Sequence, residues 1–156
     1  MNEQLPGWIV AMQSFGWESI IQVLIAALLG GLIGIEREWR GRDAGLRTNM
    51  LIAMGACLFT SISIKGFPLQ GSSAKDTARL AAQVVTGIGF LGAGAIIQTR
   101  GHAKGMTTAA TIWIVAAIGV AVGVEAYGLG AFASVITVLI LRFLRPVSKT
   151  IAHLDD

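Results

Sequence analysis

Charge is scarce in this sequence: Asp, Glu, Lys and Arg make up 13% of its 156 residues, where soluble globular domains carry about 25%. A water-facing surface cannot be built from so few ionic groups, so a soluble domain is excluded as the main architecture. Cysteine is nearly missing as well. The single Cys57 lies inside an apolar run, which excludes a disulfide framework and a cysteine metal site and leaves a small core residue. No Asp, Glu, Lys, Arg or His interrupts the apolar runs, although proton- and cation-driven pumps place carboxylates at mid-membrane. The polar groups there include Gln22, Asn49, Thr60, Gln83, Thr86 and Gln98. His102 and His153 stand without an evident Ser, Cys or Asp partner, so catalytic residues are not expected and the chain reads as a non-enzyme.

What the sequence does have is hydrophobic length. Ser19–Ile35, Thr48–Ile64, Leu80–Thr99, Gly105–Val124 and Ala126–Leu141 are each free of charge and near the roughly 17–25 helical residues that cross a bilayer. In lipid the backbone must satisfy its own hydrogen bonds, so each run is expected to be a helix. The fold class is all-α, a polytopic membrane protein of five transmembrane helices. A soluble bundle would need outer helices with charged faces, and no stretch shows one. The expected organisation is an external or interfacial segment over 1–18, a transmembrane domain over 19–144 and a short cytoplasmic tail over 145–156. Within the first of these, Leu5–Phe15 is apolar but too short to cross, as suits an interfacial segment. Glu3 and Glu18, rather than Lys or Arg, precede the first run, which argues against a cleaved signal peptide.

Basic residues set the expected orientation. Arg37, Arg40, Arg42, Arg47, Arg100, Lys104, Arg142, Arg145 and Lys149 fall in alternate hydrophilic segments, against Lys65, Lys75 and Arg79 in the opposite set. By the positive-inside rule the N-terminus is outside and the C-terminus cytoplasmic. The net charge of +3 is thereby explained by topology and calls for no nucleic acid. Trp17 and Trp39 bracket the first run, where indoles settle at the membrane interfaces. The outer segment Gly66–Lys75 is turn-rich.

A shift of 60 positions pairs Gly34, Arg40, Gly41, Gly45, Thr48, Ile52 and Ala56 with Gly94, Arg100, Gly101, Gly105, Thr108, Ile112 and Ala116. Two helical hairpins in the same orientation, a parallel repeat with a fifth helix unpaired, would produce this pattern. Gly87-Ile88-Gly89-Phe90-Leu91-Gly92 matches the G-x-G-x-x-G dinucleotide fingerprint, but no acid occurs between Asp76 and Glu125 and the glycines lie within a charge-free span. Nucleotide binding is therefore not expected. Gly87, Gly89, Gly92 and Gly94, with the pairs Gly30/Gly34 and Gly119/Gly123, are instead expected to be sites of close helix packing.

The densest charge cluster is Glu36–Thr48. Glu36 and Asp43 are hard oxygen donors of the kind Mg²⁺ prefers, but Arg37, Arg40, Arg42 and Arg47 surround them. Glu36 and Arg37 lie just past the last apolar position of the first run, where headgroups and water are expected to solvate them. The turns Gly45-Leu46-Arg47-Thr48 and Gly105-Met106-Thr107-Thr108 each place a hydroxyl to cap the following helix. Two helix N-termini on one side of the membrane, with Arg47 near, would also suit an anion such as a phosphate or a lipid headgroup.

Gly34-Ile35-Glu36-Arg37, Ala44-Gly45-Leu46-Arg47-Thr48, Gly87–Gly94, Gly105–Ala110 with Trp113, and Ala116-Ala117-Ile118-Gly119 together resemble the MgtC/SapB family of bacterial inner-membrane proteins. The resemblance spans about Ile20–Leu141. It implies a cytoplasmic-membrane location and a link to growth or survival when magnesium is scarce. It also marks Glu36, Arg37, Gly45, Arg47, Thr48, Gly92, Gly94, Thr107, Thr108 and Trp113 as the positions most expected to matter. Longer members carry a cytoplasmic C-terminal domain, so a short, membrane-only member is expected here.

The leading functional expectation is a Mg²⁺-linked membrane protein, with Mg²⁺ as the ion concerned and Mg²⁺ transport as one form of the link. Its cytoplasmic mouth would be formed by Glu36, Arg37, Asp43, Arg47, Thr48, Thr107 and Thr108, with Glu36 and Asp43 as metal candidates. The alternatives are a regulator binding another membrane protein, or a second copy, through Gly-rich helix faces, and an anion or headgroup binder. Transport predicts a polar path lined by Gln83, Thr86, Gln98 or Asn49; regulation predicts a sealed bundle with an exposed Gly-rich face.

Overall fold

Five helices form because the five apolar runs form them, and their ends fall where glycine and charge return. A computed structural model describes residues 15–65, 79–99 and 102–152. The expected interfacial segment before Phe15, the turn-rich segment 66–75, Arg100 and His153 lie outside these. In chain order the elements are α1 (Trp17–Trp39), α2 (Leu46–Lys65), α3 (Arg79–Gly94), a two-stranded antiparallel ribbon of β1 (Ile97–Thr99) and β2 (His102–Lys104), α4 (Met106–Gly123) and α5 (Tyr127–Ala152). α1, α2, α4 and residues 127–144 of α5 are long and apolar enough to cross a membrane. α3 is shorter. The third run was expected to stay helical to Thr99; it stops at Gly94, and Gln98 and Thr99 enter the ribbon. The Ala95 amide closes the turn onto the Leu91 and Gly92 carbonyls, after which the chain turns away. α5, in contrast, continues past the expected end at Leu141.

α4 is the central helix, packing against α1, α2, α3 and α5, whereas α3 packs only on α2 and α4 among the closely paired elements. Composition explains the choice. α4 carries no Asp, Glu, Lys or Arg and is apolar on every side, so it alone loses nothing by being surrounded. Half of its residues are buried, against 11% of the α5 span. The core joins Ala26 and Ile33 of α1, Ala53 and Cys57 of α2, and Val115, Ile118 and Val122 of α4. A second cluster of Ala56, Ile88, Ile112 and Ala116 holds α3 against α2 and α4.

Two glycine pairs clasp α2 from opposite helices. A Cβ at Gly30 would lie 2.6 Å from the Asn49 carbonyl oxygen and 2.8 Å from Ala53 Cβ, and one at Gly34 would lie 2.7 Å from Leu46 Cα. From α4, a Cβ at Gly119 would collide with the Ala53 carbonyl and lie 2.8 Å from Ala56 Cβ, while one at Gly123 would lie 2.7 Å from Thr60 Cβ. Backbones this close gain dispersion contacts that lipid cannot match, the main attraction between helices in a bilayer. The α3 glycines behave differently and correct the packing expectation. Among the described residues a Cβ at Gly87, Gly89 or Gly94 would meet nothing within 4 Å, and one at Gly92 only Ala109 at 3.8 Å. Their helix lies at the margin of the bundle, so the stripe is left uncovered there.

Candidate functional site

The α1–α2 connection is built from the end of α1. Gly41 adopts a left-handed φ of +58°, and the Arg42 amide reaches back to the Arg37 carbonyl at 3.0 Å. That is the αL closure favoured at helix C-termini. Four residues past Arg42, the Leu46 amide donates to Glu38 Oε2 at 2.7 Å, so a carboxylate from α1 caps α2 and meets its positive end. Asn49 Nδ2 donates to the Ala44 and Gly45 carbonyls, the latter at 2.9 Å. The loop is thus tied at both ends, and the α1 face that turns inward there carries Glu36 and Arg37.

Those two residues are inside the structure. Glu36 is 8% exposed and Arg37 4%, which corrects the expectation that solvent surrounds them: α1 runs on to Trp39 and keeps the face bearing both against the bundle. Glu36 Oε1 lies 2.6 Å from Arg40 Nε, one turn on. Arg37 Nη2 donates to Thr108 Oγ1 on α4 at 2.8 Å in a buried contact. The expected caps are also corrected. α2 is capped by Glu38, and α4 starts at Gly105, φ +91°, with no side-chain cap. Thr108 is engaged with Arg37 instead. A Cβ at Gly105 would collide with the Ala95 carbonyl, so this turn needs glycine both for its φ and for the approach of the ribbon.

Arg37, Arg40 and Arg42 share a cavity of about 410 Å³ with the first residues of α4, Gly105 to Thr108, and with Ile140, Leu141 and Leu144 of α5. Arg40 Nη2 also reaches the Arg142 carbonyl at 3.5 Å. Of the expected mouth, Arg37, Thr107 and Thr108 come together here, with Glu36 held behind Arg40. Asp43, Arg47 and Thr48 are exposed and do not line the cavity. No three His, Cys, Asp or Glu side chains gather to hold a metal among the described residues. The lining offers N–H and O–H donors and positive charge, which is the chemistry that receives an anion.

Sequence reasoning missed a second polar centre at the opposite end. Gln22 is fully buried. Its Nε2 donates to Glu125 Oε1 at 3.1 Å, and its Oε1 accepts from Ser61 Oγ at 3.3 Å and Lys65 Nζ at 3.4 Å. Lys65 Nζ also lies 3.3 Å from Glu125 Oε1. Glu125 sits in the three-residue α4–α5 joint at φ +66°, a conformation an L-residue adopts only against a steric cost. One amide therefore links α1, α2 and that joint. An uncharged Gln in an apolar run was the signal available. Between α2 and α3 a largely apolar groove of about 680 Å³ is lined by Thr48, Leu51, Gly55, Phe59, Gln83 and Gly87, among others.

The MgtC family model matches residues 23–150, which take in α2, α3 and α4 whole, most of α1 and α5, and the arginine cavity. The chain belongs to the MgtC family. It is 49% identical over 128 residues to a protein of Escherichia coli K12 named "Putative magnesium transporter YhiD", a match covering 80% of this chain and 60% of that one. It is 43% identical over 135 residues to Protein MgtC of Salmonella typhimurium, covering 86% and 56%, and 41% identical over 136 residues to the uncharacterized protein slr0014 of Synechocystis, covering 87% and 56%. The chain therefore spans somewhat over half the length of these MgtC-family relatives. No solved structure matches it.

Proposed function

We propose that this chain is the membrane part of a magnesium-linked, non-enzymatic regulator, with its arginine-rich end in the cytoplasm, and that it does not conduct Mg²⁺ along the bundle. The magnesium link rests on membership of the MgtC family and on the name carried by the Escherichia coli relative. The observation that carries the regulatory reading is the closed interior. Ala26, Ile33, Ala53, Cys57, Val115, Ile118 and Val122 fill the space between α1, α2 and α4 at 1% exposure or less. Above them the Arg37 guanidinium is buried against Thr108, and a fixed cation there opposes the passage of another. Gln83 and Thr86, expected to line a path, are exposed on α3 rather than turned inward.

Purified protein reconstituted in liposomes with an internal magnesium-sensitive dye tests this. The expected result is no Mg²⁺ entry above protein-free vesicles, together with failure of growth at low Mg²⁺ when the gene is deleted. Saturable entry abolished by Arg37→Gln would instead support transport. The orientation has its own test. In a Cys57→Ser background, a cysteine at Gly41 should be protected from an impermeant thiol reagent in intact cells and one at Ser72 should react; the reverse pattern would invert the topology.

A further inference from the structure

The two hairpins differ in what they place at the helix N-terminus that follows each connection. At α2 the chain supplies an anion of its own, Glu38, held 2.7 Å from the Leu46 amide. The 60-residue offset takes Glu38 to Gln98, a neutral amide, and α4 begins with no side-chain cap. Around the α4 start stand three guanidinium groups in a cavity of about 410 Å³ lined, among the described residues, by no Asp or Glu. That volume falls within the roughly 300–1,000 Å³ of small-molecule sites.

We propose that the cavity formed by Arg37, Arg40, Arg42 and the Thr107–Thr108 start of α4 binds a phosphate group, carried either by an anionic lipid or by a free phosphate. Two features choose phosphate over a generic anion. Guanidinium forks from α1 and the loop after it match the several acceptor oxygens of a tetrahedral phosphate, and the helix start adds N–H donors and a positive dipole end. Arg37 is held in place by its bond to Thr108 and Arg40 by its pair with Glu36, so two of the three cations are positioned before any ligand arrives and lose little freedom on binding. Ile140, Leu141 and Leu144 of α5 form the remaining wall. An apolar wall beside a cationic pocket suits the glycerol and first methylenes of a phospholipid and equally tolerates a bare ion. The earlier expectation put such a site at both helix starts with Arg47; Glu38 occupies the first start, and Arg47 is exposed outside the cavity.

The inference stands apart from the magnesium reading, since its test contains no Mg²⁺ and measures no flux. The 156-residue protein is purified in mild detergent, and its thermal unfolding is followed with inorganic phosphate against chloride at matched ionic strength. In parallel it is placed in phosphatidylcholine nanodiscs with or without phosphatidylglycerol, and bound lipid is counted by native mass spectrometry. Arg42→Gln, at an exposed position, should weaken the binding seen in either arm by about tenfold, the worth of one charge-assisted contact. Arg47→Gln, equally basic but outside the cavity, should leave it within about twofold. Saturation with phosphate alone identifies a free phosphate, and retention of phosphatidylglycerol alone identifies a headgroup. Binding in neither arm, or equal losses from Arg42→Gln and Arg47→Gln, would overturn the proposal.

Discussion

Gly119 is the α4 glycine whose added Cβ would press hardest on α2, and a single methyl there tests the packing argument. A Cβ at Gly119 collides with the Ala53 carbonyl and stands 2.8 Å from Ala56 Cβ. α2 cannot retreat to make room, because Gly30 of α1 holds the far side of Asn49 and Ala53. α4 and α2 must therefore separate, loosening Val115, Ile118 and Val122 in the core. Overpacking of this kind costs about 1–3 kcal/mol, offset by about 0.5–1 kcal/mol because Ala suits a helix better than Gly. Gly87→Ala is the matched control. It lies mid-helix in α3 with nothing within 4 Å of its Cβ position, so only the favourable propensity term of about 0.5–1 kcal/mol applies. The two variants should differ by about 2 kcal/mol, or roughly 4–8 °C in melting temperature for a chain of this size. Thermal unfolding in one detergent, with both variants purified in parallel, measures the difference. If Gly119→Ala melts at or above Gly87→Ala, α2 and α4 do not make the contact described.

Glu36→Gln should destabilise the fold by about 1–3 kcal/mol, because it removes the charge that Arg40 pairs with at 2.6 Å in a largely buried setting; a melting temperature equal to the parent's would mean that Glu36 is solvated after all. Gln22→Leu should cost about 1–3 kcal/mol by removing the shared partner of Ser61, Lys65 and Glu125, whereas Leu24→Ala at the exposed neighbouring face should cost much less in detergent. Equal effects in a denaturant titration would show that the polar centre contributes nothing.

The number of helices, their approximate limits and the family were legible in one dimension, because apolar runs of bilayer length and a set of short motifs are local properties. Gly30, Gly34, Gly119 and Gly123 were also identifiable, since small residues four apart on a helix make one face. Nothing local separates them from the α3 stripe of Gly87, Gly89, Gly92 and Gly94, which is just as rich in small residues. Whether a glycine face is covered depends on which helix lies opposite, and α4 takes the central place through its packing with four others, leaving α3 at the margin. The same limit held at the charged end. Composition shows arginines crowded near the first connection, but Glu36, Glu38 and Asp43 are equivalent carboxylates in sequence. Tertiary structure gives Glu38 to the α2 amide, Glu36 to Arg40, and leaves Asp43 exposed. Arg37 meets Thr108 across 71 positions, and Gln22 meets Glu125 across 103. Pairings at that separation follow from the order in which whole helices pack, because a side chain of a few ångströms can choose a partner only after its helix has been placed.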